Sequence, residues 1–533
     1  MSIIRHAHVC LAVACVHVAL AWGSEAAEPG AQAQPPGERQ TLITISKETT
    51  HIVRPLDDEG YIDYVAALNE RCSRGVTPEN NAMVPFWRAM GPQQIDPEIR
   101  ERFFAMLGIP PLPVEGEYFR SFAEHLEDRG LEENEAVLDR FNGCLQGPWS
   151  REDAPAVGAW LAANEKPLAL LLEASRRPRC YAPLVTGDPR TPCISVLLPG
   201  LGRVRSAGRL LAARAMLRLD SGDVDGACGD LVACHRLGRL VGQGPTLIDG
   251  LVSITVDAMA SQADAAVAQS GKLSAEQAAA FLAELDKLAP LPKMVDKIDV
   301  SERYMFLDCV AAVAREGPAL IASLDGPDDS SDFTKQLAKS LTNSTVDWNA
   351  ILRRANGWYD RLVEAGRKPT LAERRQALSA FDEDLQQMLD AAGDKKSMFL
   401  DLFTGRSPQE LLTDRMGDLL LALLMPALGA AASAQERAEM RLQVTRVALA
   451  LAAYHAERGT FPARLADLAP KHLAKVPRDC FADAELVYRR TDDGYLLYSL
   501  GPNGEDDGGR NWRLDPRPDD AELEDWDDIA VRK

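Results

Sequence analysis

The sequence predicts a mainly helical body, either a helical bundle or a tetratricopeptide-like stack, followed by a small α+β domain at its C-terminal end. Three observations predict it. From about Tyr61 to about Asp418 the chain runs in Ala-, Leu-, Arg- and Glu-rich stretches broken by Pro and Gly, with few β-branched runs. Further on, Met440, Val444, Val447, Leu451 and Tyr454 recur at helical spacing, the face a helix lays against a sheet or a partner. After that, "AELVYRRTDDGYLLYSLG" reads as two strands, 486–490 and 495–500, joined by a "TDDG" hairpin turn. At 533 residues the chain is too long for one typical domain.

Taken in order, Arg5 precedes an apolar run, 9–22, and small residues follow in "ALAWGSEAAEP". This is the pattern of a secretory signal peptide, residues 1–26, with cuts after Ala21 or Ala26. The run is too short for a spanning helix, and neither Cys10 nor Cys15 sits in a lipobox. Export to the periplasm or beyond is expected. Residues 27–57, rich in Pro, Gly and Gln, read as a flexible leader.

The helical body is placed at 58–417. "SAEQAAAFLAELDKL" opens with Ser274 as N-cap and Gln277 three residues on, a capping box, and Thr370 with Glu373 repeats it. Residues 206–241 predict a helical hairpin. Its first helix runs through Leu211, Ala215 and Leu219 to an "SGD" turn, and its second, from near Asp223, carries Ala227, Leu231 and Cys234 on one face. This looks like a tetratricopeptide-type unit or a generic hairpin of a bundle. One clear copy is visible, and such units need neighbours to bury their faces. Trp348, Leu352, Ala355 and Tyr359 line a further helix, as core or as an aromatic ligand groove.

The last domain is placed at 418–533. Its apolar run, 419–432, contains Pro426 and Gly429 and is too short to span a bilayer, so no transmembrane helix is expected in the mature chain. Gly459 and then Pro462 stop the helix that follows.

The formal net charge of −20 and a pI near 5.0 repel nucleic acid and anionic membranes, and the densest basic cluster, "RRPRC" at 176–180, is a short loop. No nucleic-acid partner is expected. Eight cysteines survive processing. Cys180 with Cys193 and Cys228 with Cys234 are the nearest pairs, but the latter two, on one helix, face different sides. There is no CxxC, no HExxH and no GxSxG. Cys234 and His235 are neighbours whose side chains diverge by about 100° on a helix, read as a packed thiol beside a surface or capped imidazole. "PGLGRVRSAG" (199–208) lacks full dinucleotide-binding spacing and reads as a helix-entry loop.

In the C-terminal hundred residues Tyr454, then "GTFP" (459–462), then "VPRDCF" (476–481), then "YSLGPNG" (498–504) follow in a fixed order. This order resembles the soluble domain of the type II secretion major pseudopilins of the G type. The chain departs from that family in three respects. The apolar stem is internal, no leader cut precedes it, and Cys480 stands where the family prefers Pro. The resemblance therefore implies a descended docking domain rather than a pilus subunit. The body as a whole resembles a family of large exported bacterial proteins, a likeness that carries no activity with it.

The same resemblance implies calcium in the loop after the last strand, as a structural ion. Its ligands here would be Asn503, Asp506 and Asp507 in the loop, Asp527 and Asp528 in the tail, and the Leu500 carbonyl. Calcium takes six to eight oxygens, so glycines that permit the turn and several carboxylates suit it. The alternative is a solvated acidic tail. The function expected is a non-catalytic binding or assembly protein of the cell envelope, with protein partners and a secretion-related docking domain. The alternative is an envelope enzyme of hydrolase type, its site a water-shielded cluster of perturbed carboxylates or His in a pocket of the helical body.

Overall fold

The computed structural model describes residues 41–188, 190–196, 198–317, 346–393, 407–425, 428–511 and 526–533. The expected signal peptide lies outside the described residues. The chain divides into two compact units, each gathered from separate stretches of sequence. Unit 1 is Met1–Arg71, Leu184–Leu198 and Val295–Gly429; unit 2 is Cys72–Pro183, Pro199–Met294 and Ala430–Lys533. The body is helical, and a small antiparallel sheet region follows it. The principal helices are, in chain order, α1 (Tyr64–Ser73), α2 (Leu201–Asp220), α3 (Val224–Val241), α4 (Leu247–Gln269), α5 (Ala275–Leu285), α6 (Arg303–Glu316), α7 (Trp348–Gly366), α8 (Leu371–Gly393), α9 (Pro408–Leu424) and α10 (Leu428–Arg458). The strands are β1 (Arg478–Asp479), β2 (Ala484–Glu485), β3 (Val487–Arg490), β4 (Tyr495–Ser499) and β5 (Ile529–Arg532).

In unit 1, α7 packs against α6, α8 and α9. Asp347 caps α7, accepting from the Ala350 N–H at 3.0 Å. Leu352, Ala355 and Tyr359 are buried, and the Tyr359 ring meets Phe306 edge-on at 5.8 Å. The aromatic stripe is therefore core, not a ligand groove. A five-residue π-helical turn, Ile298–Glu302, leads into α6. The flexible leader expected over 27–57 is packed from residue 41 on. Ile43, Thr49 and Thr50 are buried, and the Asn356 amide donates to the carbonyls of Glu48 (3.1 Å) and Thr49 (2.9 Å). Composition missed this because the segment satisfies its backbone with its own hydroxyls and with a distant helix.

In unit 2, α2, α3 and α4 pack on one another. Asp223 caps α3 after the tight turn, its carboxylate accepting from Gly226 at 3.0 Å. Gly238 on α3 lies where a Cβ would stand 3.2 Å from the Ser253 carbonyl of α4, so glycine sets the close approach of these two helices. The predicted capping box of Ser274 and Gln277 starts α5, with both bonds at 3.1 Å. Helix α2 begins at Leu201, so the stretch 199–208 is mostly helical rather than an entry loop.

The apolar run 419–432 is divided between α9 and α10, and among the described residues no helix is long and apolar enough to cross a membrane. On α10, Met440, Val444, Val447 and Leu451 are buried, and the buried Thr445 hydroxyl donates to the Ser261 carbonyl of α4 at 3.4 Å. The hairpin of β3 and β4 forms as predicted, Val487 opposite Tyr498 and Arg490 opposite Tyr495. β5 adds on the other side of β4, Ser499 opposite Ile529. Short β1 pairs with β2.

Candidate functional site

Strand β4 delivers the chain into the glycine-rich loop, and β5 brings the tail back beside it, so the two acidic segments meet. At Gly501 φ is +68°, and a Cβ there would collide with the carbonyl and side chain of Asp527. Only glycine allows the turn and this close approach together. The segments are then clasped by hydrogen bonds, most of them from backbone N–H groups. The Asn503 N–H donates to Asp527 Oδ2 at 3.1 Å, and the Asp527 N–H to Asp507 Oδ2 at 3.1 Å. The Gly509 N–H donates to Asp528 Oδ2 at 2.7 Å, and the Asn511 amide to the Asp528 carbonyl at 3.0 Å. Asp506 Oδ1 accepts from the Tyr498 hydroxyl at 2.7 Å and from Gly508 at 2.9 Å. Leu500 enters through its N–H, which donates to Asp479 Oδ2 at 2.7 Å, while Asp479 Oδ1 accepts from Phe481 at 2.9 Å. Buried Asp479 was not singled out in the sequence, and the signal that could have found it is its place directly before Cys480 in the "VPRDCF" segment.

Of the six residues proposed as calcium ligands, Asn503, Asp507, Asp527 and Asp528 thus join loop to tail, whereas Asp506 bonds Tyr498 and its own loop and Leu500 bonds Asp479. Asp528 is the buried member. Burial, then Asp507, Asp506 and Asp527, push its carboxyl up to about 7, against the Gly509 N–H. Its Oδ1 has no hydrogen-bond partner among the described residues. Asp506 is held below its usual value by the Tyr498 hydroxyl and the Gly508 N–H. A calcium ion fits this donor set in one respect: the orphaned Asp528 oxygen is the position a cation would satisfy. The other carboxylates accept from backbone N–H groups and from the Tyr498 hydroxyl and the Asn503 side-chain amide, and among the described residues no three His, Cys, Asp or Glu side chains converge as a metal group does.

Two polar clusters of the helical body include a histidine paired with charged side chains. In unit 2, His235 is wholly buried between two aspartates of α4, Nδ1 lying 2.7 Å from Asp257 Oδ1 and Nε2 2.8 Å from Asp264 Oδ2. Arg239 joins Asp257 at 2.8 Å. Cys234 is packed as expected, its Sγ 3.7 Å from the Gly208 carbonyl, but the imidazole is in the core, not at the surface. The reason is that α4 supplies a partner for each ring nitrogen, which no local pattern in 230–240 reveals. In unit 1, buried Arg303 donates to Asp360 Oδ1 at 2.7 Å and to Asp299 Oδ1 at 2.9 Å, with His51 Nδ1 at 3.4 Å. His51 has φ +61° at the centre of a turn closed by Ile52 N–H on the Thr50 carbonyl at 2.6 Å. Burial and then the Arg303 charge push the His51 pKa down, against Asp299 and Asp360.

Unit 2 also has a groove of about 340 Å³ floored by Leu172, Cys228, Val232 and Phe281, with Arg176 and Arg236 at its rim. A second hollow of about 580 Å³ is bounded by Arg140, Cys144, Trp149 and Asp153. Neither is lined by His235, His51 or Arg303. The eight described cysteines are free thiols. Comparison with family models, with curated proteins and with solved structures gives no match to this chain.

Proposed function

We propose that this chain is an exported, non-catalytic binding or assembly protein of the cell envelope, and that its pseudopilin-like C-terminal sheet is the docking unit. The observation that carries this reading is the clasp of loop and tail across β4 and β5. It ties together, by hydrogen bonds, two acidic segments that composition alone would leave solvated. Calcium belongs to the proposal as a structural ion at Asp528, and Asn503, Asp506, Asp507, Asp527 and the Leu500 carbonyl would have to turn oxygens from their present arrangement to complete its shell. An ion there would neutralise an otherwise uncompensated buried carboxylate and couple tail docking to metal binding. The wholly enclosed His235 has no route to a substrate and speaks for structure.

An envelope hydrolase is the second reading, and His51 is the observation on its side: a non-glycine residue held at positive φ beside a buried arginine is a kind of strain that clusters at functional sites. One experiment separates the two. A photo-reactive cross-linker replaces exposed Glu505 in the full chain, which is expressed in an exporting host. A discrete cross-linked partner that needs calcium and disappears in Asp528→Ala supports docking. Hydrolytic turnover that survives Asp528→Ala and is abolished by His51→Ala, with no such partner, would replace docking with the enzyme reading.

A further inference from the structure

The buried histidine carries an inference independent of the docking unit. His235 and Arg239 lie one turn apart on α3, while Asp257 and Asp264 lie two turns apart on α4, about 10.5 Å along its axis. One imidazole ring bridges those two turns, a nitrogen to each carboxylate, at 2.7 and 2.8 Å. A neutral imidazole has one N–H, so it could donate to only one of them and would turn a lone pair toward the other. The remaining oxygens, Asp257 Oδ2 and Asp264 Oδ1, have no hydrogen-bond partner among the described residues, and neither do the buried hydroxyls of Ser253 and Ser261 on the same helix. With the ring protonated, two cations and two carboxylates balance in a site with no exposed side chain but for a trace at Arg239, and burial pushes the Asp264 carboxyl up against the lowering pull of His235. Removing the ring proton would leave one buried negative charge uncompensated, the costly way to break such a cluster.

We propose that His235 is a proton latch: a fully buried imidazolium whose proton joins α3 to α4, and whose loss on alkalinisation loosens that pair. The groups acting on the ring are Asp264 and Asp257. The other charges near it are engaged elsewhere. Arg218 on α2 bonds Asp230 of α3 at 3.0 Å, and Arg214 joins the same carboxylate. On α5, Glu284 holds Arg236 at 2.9 Å. α10 presents the uncharged Thr445, and its Arg446 reaches Asp286. The thiols of Cys228 and Cys234 are held protonated by burial. Burial alone would push the His235 pKa down; Asp264 and Asp257 outweigh it and push it up to about 9. The latch is thus fully closed below the ordinary value of 6.5 and opens as pH rises through about 9.

The test uses the full chain labelled with ¹⁵N-histidine, with thermal unfolding followed from pH 6 to pH 10 for wild type, His235→Gln and Asp264→Asn. The latch predicts a buried ring with both nitrogens protonated at pH 7. It also predicts a Tm that falls between neutral pH and pH 10 more steeply in wild type than in His235→Gln. Asp264→Asn moves that fall to lower pH. Should His235→Gln not fold, the ring spectrum and Asp264→Asn still decide. A ring protonated on one nitrogen at pH 7, or a Tm fall in Asp264→Asn at the same pH as in wild type, would overturn the proposal.

Discussion

Asp528, Asn356 and His235 are polar side chains whose roles come from partners distant in sequence. In the proposed calcium site, Asp528 is the residue at which calcium and protons would compete. A carboxyl whose folded pKa is raised from 3.8 to about 7 favours the folded state below the lower value and loses that contribution as pH rises through the upper one. Calcium needs the ionised form. Its affinity, measured by titration calorimetry, is therefore expected to drop as pH is lowered through 7, and binding at pH 6 is expected to release a proton. An affinity independent of pH between 5.5 and 8 would place the ion elsewhere. Asn356 anchors the 48–49 backbone from α7 through two hydrogen bonds. Asn356→Ala leaves two carbonyls without their donor and is expected to cost about 1–3 kcal/mol in urea unfolding. A change below 0.5 kcal/mol, on the order of an ordinary surface substitution, would mean that this segment is not held by that amide. The roles of Asn356 and His235 are not legible in sequence, because an isolated Asn or His carries no sign of which segment it will meet, whereas Asp528 is reached through the family resemblance. The acidic loop was legible for the opposite reason: its glycines and acids are contiguous.

Local signals were read well at the scale of elements, and long-range pairing was not. The capping boxes at Ser274 and Thr370, the Asp223 start of α3 and the β3–β4 hairpin all depend on residues within a few positions of one another. Strand β5 depends on register across many residues, and "DIAVRK" has too few residues to announce a strand, while β1 and β2 are only two residues each and too short to show an alternating pattern. Two substitutions test the elements. Ser274→Ala removes the oxygen that accepts the Gln277 N–H at 3.1 Å, and is expected to cost about 1 kcal/mol in chemical denaturation. Gly501→Ala places a methyl against Asp527 and strains a positive φ, so it is expected to cost more than the roughly 1 kcal/mol of an ordinary Gly-to-Ala conflict. Amide exchange should show the damage confined to β4, β5 and the loop. Protection unchanged in β5 would contradict the clasp.

Over the whole molecule, sequence order and spatial grouping part company. Both compact units are built from three separate stretches, and apolar faces do not name their partners. Composition was more informative: a net charge of −20 implies self-repulsion that salt screens, so Tm is expected to rise from low to physiological ionic strength. A fall in Tm over that range would instead mean that ion pairs such as Arg203–Glu124 and Arg303–Asp360 dominate. The most direct test of the central claim is thermal unfolding of the full chain in millimolar calcium and then in excess chelator, for wild type and Asp506→Ala/Asp528→Ala. A rise in Tm with calcium that chelator reverses and the double variant lacks is the predicted result. An identical Tm in calcium and in chelator would contradict it, leaving the glycine-acid loop a hydrogen-bonded turn with no ion to hold.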